Sequence, residues 1–194
     1  MTSLDSIFNE MEEKTKYDSE FMTLKVGKNP IRILSDFVKV ETIYKGEYKP
    51  GIKGSSKYMG HMTPGRVLDT DEKVTIQGWA WVLDRSTNEV KIGQFGKNIL
   101  GQIVSLRNDP EYAFTSFPMP YDININNTGE GANRYSIVAS RTNKELTVEE
   151  MAQLNKKKSI ADIVKTIIEK QVAPVVAGTA PAYPENNLST SAEW

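Results

Sequence analysis

The chain of 194 residues contains no cysteine. That absence excludes disulfides, thiolate nucleophiles and every cysteine-ligated zinc site. His61 is the single histidine, so the histidine clusters on which most metal hydrolases depend are missing too. Long apolar runs are also lacking, and none approaches the roughly 20 residues needed to span a membrane. The opening residues carry acids where a signal peptide would carry bases. These absences lead to the expectation of a soluble, unexported protein with no membrane partner, no cofactor, no metal and no enzymatic activity.

What is present is enough for one core. With 39% apolar residues the length supports a single sizeable domain, and the remainder is expected to serve as arms and tails. The formal net charge is only -1, but the charges are segregated. Residues 1–20 carry six acids against Lys14 and Lys16. Residues 44–66 carry Lys45, Lys49, Lys53, Lys57 and Arg66 against Glu47 alone. Residues 172–194 hold Glu185 and Glu193 and no base. Local fields of opposite sign matter more here than the total.

Periodicity then orders the elements. Leu4, Ile7, Phe8 and Met11 recur at helical spacing behind Ser3, which predicts a short amphipathic helix over residues 3–14. Beyond Pro30 the period is two, with Ile31 and Ile33 on one parity and Val38, Val40 and Thr42 on the other. The change at residues 34–37 predicts a β-bulge in one long bent strand. Residues 45–72 carry five glycines and two prolines with no apolar period, which predicts a long loop. A strand follows over 73–83, with Val74, Ile76, Gly78, Ala80 and Val82 on its inner face. Trp79 and Trp81 lie on the outer face with Thr75 and Gln77. The turn at 84–88 leads into a strand over 89–95.

Ile99, Leu100, Ile103, Val104 and Leu106 predict a helix over 97–108, stopped by Asp109 and Pro110. Strands are predicted over 121–125 and 135–139, joined by the loop 127–133. The box Thr147-Val148-Glu149-Glu150 starts one further helix, and Ile160, Ile163, Val164 and Ile167 mark another. Residues 172–194 show no period and are expected to be disordered.

This order, with a helix between the third and fourth strands, is the connectivity of the OB-fold, a five-stranded Greek-key barrel whose first long loop commonly binds oligonucleotides. The expected fold is therefore mainly β, an OB-fold barrel with C-terminal helices and a disordered tail. The divisions are an arm over 1–27, a barrel domain over 28–141, helices over 142–171 and a tail over 172–194. Ile31, Ile33, Val74, Ile76, Val82, Ile92, Ile123, Ile125 and Ile137 are expected to point inward.

The same residues carry a resemblance. Ile31-Arg32-Ile33-Leu34, then Trp81-Val82-Leu83-Asp84-Arg85 leading to Val90-Lys91-Ile92, are followed by a helix. Pro120-Tyr121-Asp122-Ile123 then stands opposite Tyr135-Ser136-Ile137, before Leu146-Thr147-Val148-Glu149-Glu150. Over roughly residues 30–151 this series resembles the single-stranded DNA-binding proteins of tailed bacteriophages. The resemblance implies sequence-tolerant single-strand binding in phage DNA replication or recombination, in the cytoplasm of the infected bacterial host. Some members resemble zinc-containing helix-destabilising proteins, and this chain departs from those because it lacks the cysteines. Glu193 and Trp194 resemble the acidic, aromatic-ended tails by which single-strand binders recruit replication enzymes. A tail that competes weakly with DNA for the basic loop is the alternative.

Tyr44, Tyr48 and Tyr58 interleave with Lys45, Lys49, Lys53 and Lys57, and Arg66 closes the segment. Rings stack bases and lysines neutralise phosphates, each stacked base being worth about 1 to 3 kcal/mol. The alternative reading is a solvated surface loop with the tyrosines tucked onto the barrel. Trp79 and Trp81 form a stacking platform if open, and part of the packing if the N-terminal arm or the C-terminal helices cover them. Lys156-Lys157-Lys158 reads as a solvated turn, and His61 as a polar loop residue. Asp84, Glu89 and Lys91 imitate a metal-dependent nuclease, as Asp69, Asp71 and Glu72 imitate a metal site. A tight hairpin explains the first group without a metal. The competing function is a phage protein-interaction or structural module on the same barrel.

Overall fold

A computed structural model describes residues 20–46, 56–131, 133–140 and 144–172. The predicted helix over 3–14 and the tail from 173 onward lie outside the described residues. The strands are β1 (Gly27–Ile33), β2 (Val38–Lys45), β3 (Lys57–His61), β4 (Glu72–Asp84), β5 (Glu89–Phe95), β6 (Ile123–Asn127) and β7 (Tyr135–Ala139). The helices are α1 (Lys97–Asn108), α2 (Val148–Asn155) and α3 (Ile160–Val172). None of these is long and apolar enough to cross a membrane.

The fold is mainly β, an open antiparallel sheet of seven strands in the order β3-β2-β4-β1-β6-β7, with β5 paired to β4 off this path. β1 and β2 run as one bent strand along β4, Ile33 opposite Val82 and Val38 opposite Trp79. Between those pairs four residues of the bent strand oppose Ala80 and Trp81 alone. Leu34 N donates to Trp81 O at 2.8 Å, and the Ser35 hydroxyl accepts from Trp81 N at 2.9 Å, so a side chain stands in for the displaced backbone carbonyl.

The bulge falls where the change of parity placed it, but the parity has another cause. Odd-numbered residues keep the same face on both sides of the bend. The buried face is what changes. Ile31 and Ile33 join Ala80, Val82, Phe95, Ile123 and Ile125 in a core that α1 covers through Ile99 and Ile103. Val40 joins Trp79, Trp81, Leu83, Val90 and Ile92 in a second core on the opposite face, covered by Ile160, Ile163 and Val164 of α3. The sheet is thus packed on both faces, with a different helix on each. Gly93 is required by the first core: a Cβ there would lie 2.5 Å from Phe95 Cζ, so the ring folds over bare backbone.

Three inward expectations are corrected. Val74 and Ile76 are 38% and 53% exposed, because β4 is 13 residues long and its first half outruns the core. Ile92 is buried, but in the second core. The expected loop over 45–72 also contains β3, whose single glycine and polar residues gave no apolar alternation.

No ladder joins β5 to β7 among the described residues. Gln102 of α1 takes the edge of β7 instead, its amide donating to Tyr135 O at 3.0 Å and accepting from Ile137 N at 2.8 Å. A helix side chain satisfies the groups that a further strand would otherwise pair.

Buried charge ties α2 to this sheet. Asp122, just before β6, accepts from Arg32 Nε of β1 at 2.6 Å and from Arg85 Nε of the β4–β5 turn at 3.1 Å. Arg85 also donates to Glu150 Oε1 at 2.7 Å, while Glu150 Oε2 accepts from Thr147 N at 2.9 Å and completes the capping box of α2. Both arginines donate to Lys144 O. Burial pushes the Glu150 carboxyl up, but the Thr147 N–H and the Arg85 guanidinium outweigh it and hold the group below the usual carboxylate range.

Two outcomes follow from this network. Asp122→Ala leaves two guanidiniums short of their carboxylate and should cost about 3 to 5 kcal/mol in urea unfolding at neutral pH. A midpoint unchanged from wild type would remove the network from this role. Because the folded pKa of Glu150 is depressed, its contribution is present above the unfolded carboxyl pKa of about 4.3 and is lost as pH falls below it. Glu150→Gln should therefore lose less stability than wild type between pH 5 and pH 3, and parallel acid profiles would contradict this.

Candidate nucleic-acid interface

Beyond the core, β2, β3 and the first half of β4 continue as a three-stranded ribbon. Antiparallel pairing puts directly opposed side chains on one face. Lys73 of β4 stands opposite Tyr44 of β2, and Tyr44 stands opposite Tyr58 of β3. The two rings meet edge to face, centroids 5.8 Å apart, and Tyr58 is 48% exposed. Lys57, next to Tyr58, and Lys73 are both exposed. Neither has a carboxylate within ion-pair reach among the described residues.

This row is backed by further rings. Tyr58 contacts His61 at 5.8 Å, His61 contacts Trp79 at 5.4 Å, and Trp79 contacts Phe21 at 5.2 Å. The exposed phenol is therefore the outer end of an aromatic chain that reaches into the second core. Gln171, near the end of α3, accepts from His61 N at 3.1 Å and holds β3 from outside. Burial raises the Tyr58 pKa, and its hydrogen bond with Gln171 offsets part of that rise. Burial also draws the His61 pKa below its usual value, and its Nδ1 is buried without a hydrogen-bond partner. The imidazole is packed between the Tyr58 and Trp79 rings and links them.

The expected site residues separate into groups. Tyr44 and Tyr58 come together on one face of the ribbon, and Lys57, opposite Lys45, lies on the other face at the edge strand. Tyr48, Lys49 and Lys53 lie outside the described residues, as do Glu193 and Trp194. Lys45 and Arg66 are nearby but engaged: Lys45 Nζ is 3.3 Å from Asp71 and 3.5 Å from Asp69, and Arg66 is 2.8 Å from the buried Glu72. The Asp71 hydrogen bond and charge raise the Lys45 pKa. The acids of residues 69–72 thus fold back onto the basic segment and offset part of its charge.

Trp79 and Trp81 are corrected outright. They are 2% and 4% exposed and cannot form an open platform. α3 covers them, Trp81 Nε1 donates to Lys158 O at 3.0 Å, and Lys157 Nζ sits 5.2 Å from the Trp81 ring centroid. The lysine triplet is accordingly more than a solvated turn, since its middle member is packed against an indole. Asp84 accepts from Ser86 N at 2.8 Å within the tight turn, and Lys91 pairs with Glu89 at 2.8 Å, so local contacts occupy the nuclease-like group. Among the described residues no three acids or histidines converge as a metal site requires.

Lys73 and Gln171 were missed by sequence reasoning. Lys73 carried a usable signal, because it shares parity with Thr75 and Gln77 on the outer face of β4. Gln171 carried none, since its role depends on where α3 docks.

The class that fold and site define is an open β-sheet protein with an exposed aromatic and cationic ribbon. Comparison of the chain with family models, with curated proteins and with solved structures gives no match.

The burial of both indoles has a direct check. In a Trp194→Phe chain, Trp79 and Trp81 should resist acrylamide quenching and should not be quenched by added oligo-dT. Quenching as steep as that of free tryptophan would overturn their placement.

Proposed function

We propose that this protein binds single-stranded DNA in a sequence-tolerant manner and catalyses no reaction. The observation that carries the reading is the cross-strand row Lys73, Tyr44 and Tyr58, with Lys57 next along the edge strand and directed to its other face. Exposed rings stack on any base because every base has a π-face, and adjacent lysines neutralise the phosphates between stacked bases. Few groups in the row are fixed to read base edges, which favours tolerance over recognition of a sequence. The fold proposed beneath it is an OB-type barrel, opened where Gln102 holds β7. A long bent strand along β4, a helix between β5 and β6, and the return of β6 beside β1 support that reading.

The biological setting rests on the motif resemblance: phage DNA replication or recombination in the host cytoplasm, with Glu193 and Trp194 offered to partner proteins. One observation favours a second reading as a protein-interaction module. Val74 and Ile76 leave apolar surface exposed on the other side of the ribbon. Capture of a phage protein by a chain that ignores oligo-dT would establish that alternative.

The test is oligo-dT affinity measured across a salt series. Single-strand binding should weaken with salt, by a log-log slope of about -0.7 for each phosphate neutralised. Replacing Lys57 and Lys73 together by alanine should flatten the slope by about 1.4. Tyr58→Ala should weaken binding by about 1 to 3 kcal/mol and leave the slope nearly alone. Duplex DNA, whose bases are already stacked, should bind much more weakly. A wild-type chain with no salt-dependent affinity for oligo-dT would end this reading.

A further inference from the structure

On the ribbon face opposite Tyr44 and Tyr58, a groove of about 440 Å³ runs between the first half of β4 and helix α1. Its size lies within the range of small-ligand pockets, about 300 to 1,000 Å³. The rings of Phe37 and Phe117 line it, meeting edge to face at 5.8 Å. So do Ile76 and Val104, which are 53% and 54% exposed. Gly78 allows this wall to form: a Cβ there would lie 2.9 Å from Leu100 Cδ2 and 3.2 Å from Phe37 Cδ1. Two branched aliphatic side chains left half in water along an aromatic-walled groove mark surface that a ligand would cover.

The charges narrow the ligand. Lys39 and Arg107 also line the groove, against Asp36. Lys39 pairs with Glu41 at 2.5 Å, whereas Arg107 has no ion-pair partner among the described residues. An apolar, ring-walled slot with a free guanidinium suits a flat aromatic group that carries an anion. The groove also adjoins the proposed stacking row. Over residues 73–77 β4 is paired with β2 on one side alone, because β5 joins only at Gly78. One unpaired strand edge therefore separates the two faces of the ribbon.

We propose that this groove is a second base subsite. It takes one unstacked nucleobase of the strand held at Tyr44 and Tyr58, with Arg107 on the adjoining phosphate. The proposal rests on the single-strand reading of the ribbon and adds a contact on its other face.

Val104→Trp fills the groove from an exposed helix position, and Arg107→Ala removes its free cation. Both are compared with Tyr58→Ala in oligo-dT binding across a salt series, with melting temperature as the control for folding. Val104→Trp should weaken binding at least about fivefold with the slope unchanged, the lower end of a base-stacking contact. Arg107→Ala should flatten the slope by about 0.7, and it carries the test alone if Val104→Trp does not fold. If both groove variants bind like wild type while Tyr58→Ala binds weakly, the groove proposal is overturned and the ribbon reading stands. If wild type does not bind oligo-dT at all, both fail. If Val104→Trp keeps its affinity but abolishes self-association in sedimentation, the groove belongs to a second copy of the chain and the base subsite is overturned.

Discussion

Asp122 accepts from two buried guanidiniums at once, and the docking of α2 on the sheet depends on that arrangement. Arg32 belongs to β1, Arg85 to the β4–β5 turn, and Glu150 to the first turn of α2. Removing charges from water is expensive, so such a set persists only when each lone pair and proton finds a partner. Here the partners come from four separate chain segments, including the carbonyl of Lys144 that leads into α2. A helix held in this way fixes where the following helix starts. α3 then settles over Trp79 and Trp81 and leaves only the far end of the sheet uncovered.

The outer strands of the open sheet are β3, β5 and β7, and a glutamine from a helix meets each, Gln153 of α2 accepting from Val90 N of β5 at 3.3 Å. Gln102 of α1 occupies the edge of β7 through both ends of its amide, and Gln171 of α3 accepts from the edge strand β3 at His61. Unpaired strand edges recruit other chains, so this arrangement opposes edge-to-edge association. Gln171 touches the strand that presents Tyr58, so the end of α3 bears directly on the position of that ring.

The ribbon shows how one strand serves two purposes. The second half of β4 is buried on both faces, by α1 on one and by α3 on the other. Its first half is buried by a helix on neither face from Lys73 to Ile76. Tyr44, Tyr58 and Lys73 are exposed or half-exposed there for that reason, and so are Val74 and Ile76.

Local signals were strong wherever a pattern repeated within one element. The helix over 97–108 and the capping box at Thr147 were legible because dihedral preference and alternation act over a few residues. The strand β3 was not legible, since glycine and lysine give it no apolar rhythm and its pairing with β2 supplies the order. The tyrosine and lysine content of residues 44–66 was visible as composition, but composition does not say which charges are free. Asp69, Asp71 and Glu72 engage Lys45 and Arg66 only because the chain returns to them in space. The tryptophans make the same point in reverse. Their parity placed them correctly on the outer face of β4, yet whether that face meets water was decided by α3, some 80 residues further on. Alternation is a local property that the sequence determined by itself. Burial is a property of contacts between distant segments, and only the tertiary structure decided it.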